Sequence, residues 1–119
     1  MGNEFCALYI VRDSLSGDIK IGISNNPKER KKEIQKDYNV GKVIGLSITW
    51  FLTRKEALLW ENLFHKKFDH QHSPERGGKE WFSLNDKEIK EFIDWLKESN
   101  KRNKEKIEIL KKLLKKNKI

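Results

Sequence analysis

Three polar side chains near the amino terminus are spaced so that a folded sheet and helix would turn them toward one surface. Tyr9 lies in a first apolar run, and Lys20 lies in a second run where isoleucines alternate with other residues. Arg30 follows on the side of a predicted helix that carries its apolar residues, Ile34 and Tyr38. A phenol, an ammonium group and a guanidinium group that face one surface suit an anionic substrate.

Two strands must position the phenol and the ammonium group. Phe5–Arg12 and Ile19–Ser24 are rich in β-prone residues, and a polar, glycine-containing turn separates them. A hairpin centred between Ser14 and Leu15 would place the phenol directly opposite the ammonium group. In the second strand Gly22 removes a side chain, so that a backbone, of the protein or of a ligand, can approach closely.

The rest of the first 98 residues continues with helices around a third strand. Asn26, Pro27 and Glu29 form a helix-start signature. Lys42–Leu52 is almost continuously apolar, which is typical of a central strand. Two amphipathic helices follow, with a short strand or aromatic lid at Trp81 between them. We therefore predict an α+β fold, with a small three-stranded, mainly antiparallel sheet flanked by helices in the order β-β-α-β-α-α.

Glu61 interrupts the apolar stripe of the first of these two amphipathic helices, and His65 follows one turn later on the same side. A carboxylate among aromatic core positions is costly unless it is paired or bound to a cation. The residues alone leave both possibilities open. His65 is compatible with a phosphate contact, with support of a neighbouring ligand, or with a packed core histidine.

Charge divides the chain into two parts. Residues 1–98 hold 17 Lys/Arg and 16 Asp/Glu, whereas residues 99–119 hold nine and two, a net charge of +7 within the total of +8. The folded part is thus nearly neutral, and the basic character belongs to a lysine-rich carboxyl-terminal helix or tail. That tail is typical of an arm on phosphates, but a partner-binding helix and a frayed segment have the same composition.

Composition narrows the class of protein further. Cys6 is the single cysteine, which excludes an internal disulfide and fits a reducing compartment. No apolar run approaches membrane-spanning length, and no signal-peptide core is visible. We expect a cytoplasmic protein without a membrane partner.

The paired motifs resemble those of the GIY-YIG nuclease superfamily. Leu8-Tyr9-Ile10, the eleven-residue step to Lys20, and Lys20-Ile21-Gly22 have the order of that superfamily's two motifs. The segment from Asn26 to Arg30 is similar to the one that carries its arginine. The closest pattern is a small phage and bacterial branch with a KIG second motif and a terminal EWF segment. The resemblance covers roughly residues 5–82.

This resemblance implies an endonuclease that hydrolyses phosphodiester bonds in DNA, with RNA left open. Tyr9 would be the general base, helped by Lys20, and Arg30 would bind the scissile phosphate. Glu61 would hold one divalent cation, Mg²⁺ or Mn²⁺, with His65 also in the catalytic group. Further nucleic-acid contacts are expected from three residues, Gly22, Lys31 and Lys32.

Two departures from the superfamily's pattern keep alternatives open. Lys20 replaces the usual second tyrosine, and Ile34 replaces a histidine often found one turn after the arginine. The alternative function is a catalytically weak or inactive nucleic-acid-binding module with the same fold. In that case Arg30 could simply be a surface partner of Glu33. A partner chain for sequence recognition is a further expectation, because 119 residues leave little surface for reading a long site.

Overall fold

The computed structural model describes residues 5–36, 41–72 and 81–101, together with residues 108, 109 and 112. The described chain forms, in order, β1 (Cys6–Asp13), β2 (Ile19–Ser24), α1 (Pro27–Gln35), β3 (Val43–Phe51), α2 (Arg54–Lys67), β4 (Trp81–Phe82) and α3 (Asp86–Ser99). A short 3₁₀ helix, Asp69–Gln71, lies between α2 and β4. The predicted α+β class is confirmed.

The sheet has four strands rather than the predicted three. Its order is β3-β1-β2-β4, and every pairing is antiparallel. The additional strand, β4, contains two residues, and it corresponds to the short strand that was one of the two interpretations of the segment at Trp81. β3 was predicted as a central strand but lies at the edge of the sheet. Its side chains Ile44 and Ile48 are 43% and 52% exposed, so apolarity alone was misleading.

The β1–β2 hairpin has a different register from the predicted one. Tyr9 is paired with Gly22, and Lys20 is paired with Val11, so the hairpin centre lies between residues 15 and 16. In the observed turn Gly17, with a φ of +78°, donates its N–H to the carbonyl of Asp13, the last residue of β1. Since the shift is two residues, both polar side chains stay on the expected face.

A buried carboxylate secures this turn. Asp13 is fully buried, and its carboxylate accepts the N–H groups of Leu15 (3.0 Å) and Gly41 (2.8 Å) and the Ser16 hydroxyl (3.0 Å). Hydrogen bonds to an ionised acceptor are stronger than neutral ones. The interaction with Gly41 also ties the turn to the residues that precede β3, so it aligns both neighbours of β1.

The two faces of the sheet have different roles. On one face, which we call the Leu8 face, β1 and β2 pack against α2 and α3 in the larger hydrophobic core. Phe64 is its centre, with ring centroids 4.9 Å from Phe92 and 5.1 Å from Phe82. Burial of each such ring contributes about 1.5–3 kcal/mol. Most of the apolar surface that stabilises the fold is therefore on this side.

The opposite face, which we call the Tyr9 face, has a smaller core beneath α1. It consists of five buried side chains, Tyr9, Val11, Ile34, Val43 and Trp81. α1 begins as predicted, with the Asn26 side chain accepting the Glu29 N–H at 3.3 Å and Pro27 in the first turn. Near its other end Gln35 bonds the Val43 N–H at 2.7 Å, which fixes α1 to the start of β3.

The structure describes little of the predicted basic tail. Residues 102–107, 110–111 and 113–119 lie outside the described part, as do the predicted helix exit at residues 38–40 and Glu80. Among the described residues, no helix combines the length and apolarity that crossing a lipid bilayer requires.

A capping box begins α3 and depends on an ionised carboxylate. Asn85 accepts the Glu88 N–H at 2.8 Å, and Glu88 accepts the Asn85 N–H at 3.1 Å and the Gln71 amide at 3.0 Å. The Asn85 N–H, followed by the Gln71 amide, lowers the pKa of Glu88 below its ordinary 4.5. The carboxylate is thus favoured in the folded state and adds stability above the ordinary pKa.

We predict that this contribution disappears in acid. Because the folded-state pKa is lowered, its stabilisation is complete well above pH 4.5 and is lost as pH falls through the folded-state value. Glu88→Gln should cost about 0.5–1 kcal/mol at pH 7 and should flatten the stability decrease between pH 6 and pH 3. Urea unfolding at both pH values tests this, with Glu91→Gln on the exposed side of α3 as the matched control. An unchanged pH dependence in Glu88→Gln would contradict the prediction.

Candidate active site

The Tyr9 ring lies across the backbone of the neighbouring strand at Gly22. A Cβ atom at Gly22 would overlap the Tyr9 hydroxyl and lie 2.8 Å from its Cε2 atom, closer than real Cβ atoms approach. Tyr9 is only 4% exposed. The close approach that Gly22 permits is therefore made by the protein's own phenol, and it directs the hydroxyl from β1 over β2.

Arg30 is a cation in contact with this phenol. It lies on the exposed surface of α1, where its Nη1 atom donates to the Glu33 carboxylate at 2.8 Å. The hydrogen bond to Glu33, followed by one with the Tyr9 side chain, raises the pKa of Arg30 further above its already high value. The predicted inward position is thus only partly right, because Arg30 contacts both Tyr9 and its surface partner.

Lys20 is the second cation on this face, and it is almost completely buried. Its ammonium nitrogen lies 5.7 Å from the centre of the Trp81 ring, and the residue is 5% exposed. A cation above an aromatic face gains about 0.5–2 kcal/mol, which offsets part of the cost of removing the charge from water. Lys20 is not directly opposite Tyr9 as predicted, but two residue pairs further along the hairpin, paired with Val11.

These residues form one group, which we call the Tyr9 cluster: Tyr9, Lys20, Gly22, Arg30 and Trp81. It combines a phenol with two cations next to a glycine backbone, so it is suited to hold an anion. Sequence reasoning assigned Trp81 only to packing. Trp81 was predicted to pack the core, and nothing in the neighbouring sequence indicates that its ring would contact Lys20.

Glu61 lies on the helix that covers the other face of the sheet. α2 packs against the Leu8 face, and Glu61 is half-buried on it. There it is an electrostatic neighbour of the buried Cys6 thiol, whose pKa is raised by burial first and by Glu61 to a smaller extent, while Arg54 lowers it. Within the described residues the Glu61 carboxylate has no hydrogen bond or ion pair. The contacts that define the Tyr9 cluster do not include it.

His65 lies one turn further along the same side of α2 and packs between aromatic rings. Its ring centroid is 6.3 Å from Phe64 and 5.1 Å from Phe82 of β4. This matches the interpretation of a packed core histidine. His65 therefore lies beside β4, at the edge of the sheet.

The predicted nucleic-acid contacts separate into different environments. Gly22 lies under the Tyr9 ring. Lys31 is exposed on the Tyr9 face, with its ammonium nitrogen 3.9 Å from where a Cβ of Gly45 would lie on β3. Lys32 is exposed on α1. Among the described residues, no group of three or more His, Cys, Asp or Glu could hold a metal ion by itself.

Comparison with known proteins supplies the family. A family model for the T5orf172 domain matches residues 7–97, which include the Tyr9 cluster and every strand and helix apart from Cys6 of β1 and the last two residues of α3. The chain belongs to the T5orf172 domain family. This family is phage-associated and nuclease-associated. Neither the curated proteins nor the solved structures contain a significant match.

In this T5orf172 domain we predict that Gly22→Ala breaks the Tyr9 cluster. The added methyl group overlaps the Tyr9 hydroxyl, so the ring must move away from Arg30. We expect a loss of about 1–3 kcal/mol, as for other overpacked sites, measured by urea unfolding.

The matched control is Gly45→Ala on β3. There the nearest atom is the flexible Lys31 ammonium at 3.9 Å, an ordinary van der Waals distance. Gly45→Ala should change stability by less than 1 kcal/mol, since removing strand glycine also has a small favourable effect. Equal effects of the two substitutions would show that Tyr9 is not held on Gly22.

Proposed function

We propose that this T5orf172 domain is a GIY-YIG-type endonuclease that hydrolyses phosphodiester bonds in DNA. The observation that carries the proposal is the contact of Tyr9 with Arg30 on the face that also holds Lys20. A nuclease needs a base for water and positive charge for the phosphate, and these three groups provide both. The family match supports the nuclease class.

In this proposal Tyr9 acts as the general base. Its phenolate oxygen takes one proton from a water molecule, and the resulting hydroxide attacks phosphorus while the bond to the leaving oxygen breaks. Neighbouring cations favour phenolate over phenol, and Arg30 and Lys20 both lie on the face of Tyr9. The rigid position of the ring on Gly22 also reduces the entropy cost of aligning the water.

Arg30 and Lys20 have different tasks because their surroundings differ. Arg30 is 43% exposed and can reach a phosphate from solvent, whereas Lys20 is buried beneath Trp81. The guanidinium group is therefore assigned to the scissile phosphate, which it can bind through two parallel hydrogen bonds. The buried ammonium group orients the nucleophile and Tyr9.

Glu61 is proposed as the protein ligand of one divalent cation, Mg²⁺ or Mn²⁺. A half-buried carboxylate without a hydrogen bond or ion pair to another described residue suits such a hard cation, with water and phosphate as the other ligands. When bound, the ion would stabilise charge on the leaving oxygen. Glu61 is assigned this role from the resemblance to the GIY-YIG superfamily, since its helix covers the Leu8 face and the Tyr9 cluster lies on the opposite face.

The first test is cleavage of supercoiled plasmid with Mg²⁺ and with Mn²⁺. Tyr9→Phe keeps the ring on Gly22 but removes the base, so we expect at least a 100-fold lower rate. Lys20→Met and Arg30→Met should each lower the rate by about 100-fold or more, because each removes positive charge next to the reaction. Binding of DNA by Tyr9→Phe should remain within about threefold of the parent chain.

Glu61→Gln tests the role of the metal separately from the role of the Tyr9 cluster. We expect it to abolish the response to metal concentration, while Glu91→Gln on the exposed side of α3 should have the parent's activity. Full activity of Glu61→Gln would show that Glu61 takes no part in the mechanism, and the proposed function would then depend on the Tyr9 cluster alone. Absence of cleavage by the parent, with DNA still bound, would instead favour the non-catalytic binding module.

A further prediction concerns the carboxylate that holds Arg30. Glu33 binds the guanidinium group at 2.8 Å and must yield it, at least in part, to an incoming phosphate. Because its negative charge also repels the substrate, Glu33→Gln should lower KM by about threefold to tenfold, with a smaller change in kcat. Steady-state cleavage of an oligonucleotide measures both constants. A higher KM would show that Glu33 instead positions Arg30 for substrate.

A further inference from the structure

The two sides of α1 carry opposite charge. Glu29 and Glu33 lie one turn apart on the side where Arg30 contacts Tyr9. On the other side Lys31 lies over Gly45 of β3, and Lys28, three residues earlier, has the same orientation. The side of α1 that faces β3 is therefore basic and lies apart from the Tyr9 cluster.

Next to these lysines, β3 presents apolar surface on the Tyr9 face. Ile48 is paired with Tyr9 and is 52% exposed, although Tyr9 itself is buried. Trp50 is paired with Ala7, two residues further along β1, and is half-buried. Since paired residues in an antiparallel sheet point to the same face, both side chains lie on the face of the Tyr9 cluster.

We propose that Lys28, Lys31, Ile48 and Trp50, the β3 strip, bind an unpaired stretch of the nucleic acid next to the scissile phosphate. The lysines would contact phosphates, and Trp50 would stack on a base, the combination that single-strand-binding surfaces use. The proposal rests on the proposed function, because it takes the Tyr9 cluster as the site of the scissile phosphate.

The distance between the β3 strip and the cluster fits one strand of nucleic acid. β1 lies between β3 and β2, so Ile48 is two strand spacings, about 10 Å, from Gly22. Two or three stacked nucleotides span this distance, at about 3.4 Å each. A strand that places a phosphate at Arg30 can therefore lay the following bases on Ile48 and Trp50.

An unpaired strand fits the β3 strip better than a duplex does. The faces of bases in a duplex are covered by their neighbours, and only their edges and the phosphates are accessible. An apolar side chain on an open sheet face contacts base faces, as in other sheet-based single-strand binders. The substrate of this domain therefore has a single-stranded segment beside the cleavage site.

The basic tail begins at the same end of β3. The Asn100 side chain donates to the Trp50 carbonyl at 3.0 Å, and Asn100 is buried. The chain leaves α3 at this point, and residues 99–119 have a net charge of +7. A large positive charge attached at this end of β3 attracts a phosphate backbone.

Equilibrium binding to a labelled single-stranded oligonucleotide of about 20 nucleotides, and to its duplex, tests the β3 strip. The full chain with Tyr9→Phe prevents cleavage, and fluorescence anisotropy gives Kd. Trp50→Leu should weaken single-strand binding about tenfold and duplex binding less than threefold, while Trp50→Phe stays within about threefold on both. The matched control is Trp95→Leu on α3, 47% exposed on the helical side of the molecule, which should bind as the Tyr9→Phe chain does.

Substitution of the lysines provides an independent measurement that leaves the sheet intact. Lys28→Gln with Lys31→Gln should lower affinity for the single strand and reduce the slope of log Kd against log salt by about 1.4, since each phosphate contact contributes about 0.7. Lys66→Gln with Lys67→Gln, exposed at the end of α2, should leave the slope unchanged.

The outcomes separate this proposal from the proposed function. Unchanged single-strand binding in Trp50→Leu, an equal loss on duplex and single strand, or an unchanged salt slope in the lysine variant would each overturn the β3 strip. Plasmid cleavage is measured separately on chains that retain Tyr9. If the chain cleaves plasmid but its binding to a single strand does not depend on Trp50, only the β3 strip is rejected. If binding depends on Trp50 but no cleavage is found, only the nuclease function is rejected.

Discussion

The contact between the Tyr9 ring and the backbone at Gly22 is the constraint on which the Tyr9 face depends. Any larger residue at position 22 would overlap the hydroxyl, so the β1–β2 register and the phenol's direction are coupled. The turn that sets this register is held by the buried Asp13 carboxylate. A structural feature of the hairpin therefore determines where the chemistry of the sheet is presented.

The arrangement of charge on this face explains how a nearly neutral domain can attract a polyanion. Lys20 is removed from solvent beneath Trp81, Arg30 is shared between Tyr9 and Glu33, and Lys31 lies over β3. Each cation thus has a different environment, although they lie on one face. The net charge of the domain does not reveal these environments. Acidic residues elsewhere cancel the total positive charge but not the local positive field on this face.

The Leu8 face supplies rigidity for this arrangement. Its aromatic rings, centred on Phe64, fix α2 and α3 to the sheet, and His65 packs at their margin against Phe82. Phe82 adjoins Trp81 in β4, so the packing of one face also holds the ring that covers Lys20 on the other. Cys6 belongs to the same core, where burial raises the pKa of its thiol and keeps it unreactive.

Local patterns in the sequence determined the helices, the first three strands and the common face of Tyr9 and Lys20, because alternation, helix caps and apolar stripes are properties of neighbouring residues. Only the tertiary structure decided the two-residue shift in hairpin register, the edge position of β3, and that the segment at Trp81 is a strand paired with β2 rather than a lid. It also brought Trp81 to Lys20 across 61 positions and put Glu61 on a helix of the opposite face. These outcomes depend on loop conformation and on contacts between distant segments, for which a single sequence has no periodic signal.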